Sequence, residues 1–178
     1  HWLLTSANPA VAPREILRGT DLRVVARALE VVKERAKARV WGLYDRDDIA
    51  GMFGQNNNPA WKTGHRDVDL GSSRHSILMV NLRKPSSTPV EHRYADRFIS
   101  PSEFQWESQA STRPDSTKGR RILHQEKDDR TIHLFVRYHT KTAEGTAEPY
   151  LYCGPVTTQS WEGSQPIRVR FELREPLP

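Results

Sequence analysis

From Leu22 onward, apolar residues recur at helical spacing through Val25, Ala26, Leu29, Val32, Ala36 and Val40, with Thr20 placed as a cap. Arg23, Arg27, Glu30, Glu34 and Lys37 fall elsewhere around the axis, so the pattern predicts an amphipathic helix with a charged outer face. The commoner meaning of such a face is a solvated surface; its basic character also suits phosphates. Ahead of it, residues 1–19 carry Pro9, Pro13 and Gly19 among scattered apolar positions and read as an irregular lead-in. A second, short helix fits Arg46 to Phe53: Asp45 can cap it, Asp48 suits its first turn, Ile49, Met52 and Phe53 share a face, and Gly54 can end it. The polar turn Gln55 to Pro59 is followed by no recognition helix, which argues against a helix-turn-helix.

Beyond Trp61 the period changes. Ile77 to Leu82, Phe104 to Gln109, Thr131 to Tyr138, Tyr150 to Cys153 and Ile167 to Leu173 are short and rich in β-branched or aromatic residues. Pro, Gly, Ser and charged stretches separate them. The last is the clearest strand, because Ile167, Val169, Phe171 and Leu173 alternate with Arg168, Arg170 and Glu172. Residues 83–92 and 139–149 read as polar loops, and no internal repeat is present. The expected fold class is α+β: N-terminal helices followed by an antiparallel, twisted sheet or partial β-barrel.

The chain has 178 residues, enough for a single domain spanning 1–178. Within it, 1–40 form the lead-in and helix and 41–178 the sheet-bearing part. Opening on His1 rather than Met, it reads as a fragment of a longer protein. No stretch approaches a membrane span or a secretory signal, and the lone Cys153 excludes an internal disulfide framework and a cysteine-rich zinc site. A cytoplasmic location and no membrane partner are therefore expected. Lys and Arg number 27 against 22 Asp and Glu, a net charge of +5 that favours polyanions. The charge is concentrated: residues 14–39 hold eight Lys/Arg against four Asp/Glu, and residues 113–121 hold four against one.

The P-loop, the GxGxxG fingerprint, the GxSxG elbow and HExxH are all absent. His124 lies near Glu126, Asp128 and Asp129, but the spacing suits a charged turn better than a metal-dependent nuclease. Pro114-Asp115 with Glu126-Lys127 lacks the spacer that a restriction-nuclease signature needs. No catalytic residue, metal ligand or cofactor is assigned. The richest segment runs from Tyr94 to Arg121. It sets Tyr94, Phe98, Phe104 and Trp106 among Gln105, Ser108 and Gln109, then adds a basic loop with Arg113, Lys118, Gly119, Arg120 and Arg121. Rings can stack on bases, amides and hydroxyls can read base edges, and Lys/Arg can neutralise phosphates, while Gly119 would permit close backbone approach. Trp61 and His65 are candidate walls of the same pocket. Strand alternation sets Gln105 and Gln109 opposite Trp106 and Ser108, so both sets can line one pocket only if the strand bends. The alternative for Phe104 and Trp106 is plain core.

Several motifs occur in order: Tyr44-x-Arg46-x-Asp48-Ile49 with Phe53-Gly54, Trp61-x-x-Gly64, Tyr94-x-Asp96, and Ser100-Pro101-x-x-Phe104-Gln105-Trp106-x-Ser108-Gln109. Leu134-Phe135-Val136-Arg137, Gly154-Pro155-Val156 and Gly163-x-x-Pro166 complete the set. Over roughly residues 40–178 the chain resembles the uncharacterised C-terminal domain of some bacterial DEAD/DEAH-type helicases that also carry a phospholipase-D-like nuclease. Position 105, often His in that pattern, is Gln here, which weakens acid-base work there. The resemblance implies a bacterial module attached to DNA-processing machinery in restriction or phage defence.

The resulting expectation is a non-catalytic module that binds double-stranded DNA and recognises a target for a linked nuclease or helicase, the target including base-methylated or phosphorothioated DNA. Its contacts are expected from Tyr94, Gln105, Trp106, Ser108, Gln109, Arg113, Lys118, Arg120, Arg121, Trp61 and His65. The competing expectation is a regulatory or protein-interaction domain packed on a helicase or nuclease core.

Overall fold

The computed structural model describes residues 38–83 and 95–178. The helix expected from Thr20 onward lies outside the described residues except at its end, where Ala38 to Val40 are not helical; Tyr94 lies outside them altogether. The elements are β1 (Leu43–Tyr44), α1 (Arg46–Met52), a 3-10 turn (Pro59–Thr63), β2 (His65–Leu70), β3 (Ser73–Asn81), β4 (Arg97–Ser100) and β5 (Glu103–Glu107). There follow α2 (Thr117–Leu123), a second 3-10 turn (Gln125–Asp128), β6 (Arg130–Arg137), β7 (Tyr150–Glu162) and β8 (Arg168–Leu173).

The eight strands among the described residues form one sheet in the order β2-β3-β6-β7-β8-β5-β4, with β1 paired to β7. The pairs are antiparallel except β3 with β6, which run parallel from Arg74↔Arg130 to Asn81↔Arg137. This corrects the expected fold class in two respects. The sheet is mixed rather than antiparallel, and among the described residues strand far outweighs helix, the helices being inserted among the strands. Alternation reports which face a residue occupies and carries no information on strand direction. The parallel pair requires a long crossover, supplied here by everything between Asn81 and Arg130.

Each face of the sheet buries its own core. On one face Leu78, Val80, Phe104, Trp106, Ile132, Leu134, Val156, Val169 and Phe171 pack with Ile122 and Leu123 of α2. On the other, Ile77, Met79, Phe135, Tyr150 and Tyr152 pack with Ile49, Ala50 and Phe53 around α1 and with Trp61. Central β3 is therefore apolar on consecutive positions, as a strand covered on both sides must be. Strand β8 keeps the alternation read from its sequence, with Val169, Phe171 and Leu173 buried and Arg168, Arg170 and Glu172 exposed. Helix α1 forms where expected, closed by a reciprocal capping box between Asp45 and Asp48. Strand β7 carries two register shifts. One lies opposite Leu134/Phe135, at Gly154, whose φ is +86°; the other lies between Thr158 and Ser160.

The sheet curls so that β2, at one end, approaches β5, next to the other end, beside α2. The His65 ring of β2 stands edge-on to Trp106 of β5 at 6.1 Å, and Gln109 Nε2 donates to Thr63 O at 3.0 Å. Among the described residues no helix is long and apolar enough to cross a membrane.

Candidate functional site

The segment from Arg113 to Arg121, expected as a loop, is instead the lead-in and first five residues of α2. Ser116 caps the helix: its Oγ accepts from Gly119 N at 3.0 Å and donates to Arg113 O at 2.6 Å. Gly119 does permit close backbone approach, but to the chain itself. A Cβ there would lie 2.0 Å from Arg113 O. Amphipathicity missed this helix because only Gly119, Ile122 and Leu123 are buried, too few positions to establish a period.

Two concave regions flank α2. The first, of about 490 Å³, is lined by Arg74, Arg120, Arg121, Lys127 and Arg130 with Thr117, His124, Asp69 and Asp128. Its floor is rigid. Arg130 is only 1% exposed at its side chain, donating to His75 O at 2.7 Å and to Asp69 Oδ1 at 2.9 Å. Arg121 Nη1 donates to Asp67 Oδ2 at 2.9 Å, and that bond raises the guanidinium's already high pKa. Toward the rim, Arg74 lies 3.6 Å from Asp128, and Arg120 donates to the carbonyl of Asp115, an uncharged acceptor. Lys127 is exposed. The groove thus offers positive charge on a fixed base, the arrangement that binds phosphate oxygens.

The second region is a cleft of about 200 Å³ at the seam where β2 approaches β5, lined by Lys62, Thr63, His65, Asn81, Asp96, Trp106, Glu107, Gln109, Thr112 and Lys118. Four of the residues picked from sequence converge here: His65, Trp106, Gln109 and Lys118. They share the cleft because β5 ends at Glu107. Ser108 is then pinned, accepting from Ile167 N at 3.0 Å, and Gln109 escapes strand alternation to reach Thr63 and accept from Lys118 Nζ at 3.3 Å. Burial lowers the Lys118 pKa, with Asp67 pulling it back. Burial also lowers that of His65, which stays neutral. The acceptor-only Asp67 carboxylate at 3.0 Å assigns its proton to Nε2 and leaves Nδ1 an acceptor.

Asp67 joins the two regions. Burial alone would raise its pKa, but donors from His65, from Ser76 Oγ at 2.6 Å and from Arg121 outweigh it and hold the carboxyl well below the usual range. Asp67 was not singled out from sequence; neither were Arg74 and Arg130, and Lys127 was weighed only beside Glu126 in a nuclease signature. Asp67, Arg74 and Arg130 come from β2, β3 and β6 and meet only through the pairing of those strands, so no spacing could have shown them.

The remaining sequence candidates have other places. Trp61 is fully buried in the α1-side core, and Ser108 is a buried structural hydroxyl, so neither walls the cleft. Gln105 lies on the opposite sheet face, its Nε2 donating to Ala95 O at 2.8 Å beside Arg168 and Arg170. Arg113 is exposed and paired to Asp115 at 3.1 Å, outside both regions. Trp106 is largely core, packed 6.0 Å from Phe171, with an edge on the cleft. Glu107 is an ion-pair partner of Arg168 at 2.8 Å. His124 lies 4.0 Å from Glu126, and among the described residues no three His, Cys, Asp or Glu side chains are grouped to hold a metal ion.

Residues 39–178 match a family model described as a domain of unknown function, DUF3427. Among curated proteins no match is found.

Proposed function

The chain belongs to the DUF3427 family, and from that premise we propose that it is a non-catalytic module that binds duplex DNA for a linked helicase or nuclease in the bacterial cytoplasm. The observation that supports this reading is the groove beside α2, where five basic side chains from β3, α2, the second 3-10 turn and β6 meet three carboxylates, Asp69 and Asp128 in the lining and Asp67 behind it. A phosphate backbone satisfies that imbalance. Arg121 and Arg130, held by Asp67 and Asp69, set the shape of the groove, while Arg120 and Lys127 neutralise phosphates and displace counterions.

The test is the salt dependence of binding to a short unmodified duplex, for the full chain and for the Arg120→Ala/Lys127→Ala double variant. Affinity should fall steeply with salt, and the double variant should lower the slope of log affinity against log salt by roughly one unit per lost phosphate contact. Duplex recovered after incubation with Mg²⁺ or Mn²⁺ should be uncut. An unchanged slope in a folded double variant would remove the groove from the interface, and absence of binding at any salt would favour a regulatory domain.

A further inference from the structure

We propose that the seam cleft between β2 and β5 is a reading pocket for one nucleobase turned out of the duplex whose backbone lies in the basic groove. The inference rests on the DNA-binding reading and specifies which part of the nucleic acid is recognised.

The placement comes first. The cleft and the groove open on either side of α2, with Lys118 lining one and Arg121 the other. Three residues along a helix are a rise of about 4.5 Å, and successive phosphates of one strand advance about 3.4 Å along the duplex axis. A strand anchored in the groove therefore has a neighbouring nucleotide within reach of the seam. Asp67 couples the two, holding His65 on the cleft wall and Arg121 in the groove through one carboxylate.

The chemistry comes second. The cleft is smaller than the roughly 300 Å³ at which pockets for drug-sized ligands begin, which suits a single ring system rather than an oligomer. Gln109, tied to Thr63 and Lys118, still has its second amide hydrogen and second lone pair to offer, Thr112 a hydroxyl, and Lys118 a cation whose charge burial disfavours. Such neutral and weakly cationic groups tell base edges apart, whereas arginines on phosphates set position without reading sequence. Trp106 is only 7% exposed, so the ligand is gripped by hydrogen bonds and not by an open stacking platform. A base still paired in the stack cannot enter a cleft bounded by β2 and β5; one already unpaired can.

The experiment compares the full chain on three duplexes of the same sequence: fully paired, carrying one single-nucleotide bulge, and carrying an abasic site in place of the bulged base. 2-Aminopurine replaces the bulged base as a fluorescent reporter. Binding to the bulged duplex should exceed both others by about tenfold, since the unpairing cost is already met, and 2-aminopurine emission should change on binding. Gln109→Leu and Thr112→Val should each remove most of that preference while leaving affinity for the paired duplex unchanged. Melting temperatures identify any variant that has unfolded, and the wild-type comparison of the three duplexes does not depend on either variant. Equal affinity for the bulged and abasic duplexes overturns the pocket, as does a preference that both folded variants retain. If paired duplex is bound through Arg120 and Lys127 with no preference among the three, the pocket fails and the groove stands. If no duplex is bound, the DNA-binding reading itself fails.

Discussion

Gly119→Ala and Gly51→Ala make the same chemical change in two helices of equal length, and the structure predicts opposite signs. Helix propensity alone favours Ala over Gly by about 0.8–1.0 kcal/mol in a helix interior. At Gly51 nothing lies within 4 Å of the added Cβ, so Gly51→Ala should stabilise by about 0.5–1 kcal/mol. At Gly119 the new carbon would sit 2.0 Å from Arg113 O, 3.0 Å from Arg113 C and 3.1 Å from the Pro114 Cα. All three are backbone atoms, so no rotamer change relieves them, and Arg113 O is also held by Ser116 N at 3.1 Å and by the Ser116 hydroxyl. Overpacking of this kind costs roughly 1–3 kcal/mol, at the upper end where backbone must move. After the propensity gain is subtracted, Gly119→Ala should destabilise by about 1–2 kcal/mol. For a unit of this size that lowers Tm by roughly 3–8 °C, and Gly51→Ala should raise it by a few degrees. Thermal melts of the three proteins in one buffer decide the matter. A Gly119→Ala protein as stable as wild type, or more so, would refute the claim that α2 is seated on the Arg113–Pro114 backbone.

Trp106→Ala removes a nearly buried ring from the β5-β8 core and should cost roughly 3–5 kcal/mol in urea unfolding; a loss below about 1 kcal/mol would show that the ring is not core. His133 hydrogen-bonds Tyr152 Oη at 2.7 Å, and burial holds its pKa down at about 3. Its contribution to stability is therefore complete above the unfolded value near 6.5 and is lost as pH falls toward 3, by up to about 1.4 kcal/mol per pH unit. The slope of unfolding free energy between pH 6 and 4 should flatten by close to one proton in His133→Gln, and an unchanged slope contradicts the assignment. Cys153 is fully buried with its thiol pushed up to about 12, so iodoacetamide at pH 8 should label the native chain no faster than it unfolds.

The sequence carried those features whose cause is local. The Asp45–Asp48 box and Gly54 delimit α1 within a residue of its expected end, and the period-two face of β8 was visible because its outer positions are charged. The family resemblance over roughly residues 40–178 agrees with the match to 39–178. Strand β2 was missed because its outer-strand sequence, His65 to Leu70, is mostly polar, with His65 and Val68 buried on opposite faces. The extent of β7 was missed beyond Cys153 because its bulges break alternation. At the site, Trp106, His65, Gln109 and Lys118 were legible as types suited to recognition. That they share a cleft while Trp61, Gln105 and Ser108 do not depends on where β5 ends and how β2 approaches it, which are long-range outcomes.

The two bulges of β7 work as a matched pair. Before Gly154 the odd-numbered residues Leu151 and Cys153 face the α2-side core. Between the bulges the even-numbered Val156 and Thr158 do so, Thr158 Oγ1 reaching Ile122 O at 2.7 Å. After the second, Trp161 is again in register with inward-facing Val169. Each bulge thus acts as a parity switch, and the second cancels the first. Deleting one residue at Gly154 or at Gln159 would therefore leave plain alternation there with the same residues facing in, while deleting Thr157, between the bulges, would turn one stretch of β7 inside out. Single-residue deletions tolerated along this strand should therefore fall at the two bulges, a rule for reading length variation among relatives of the chain.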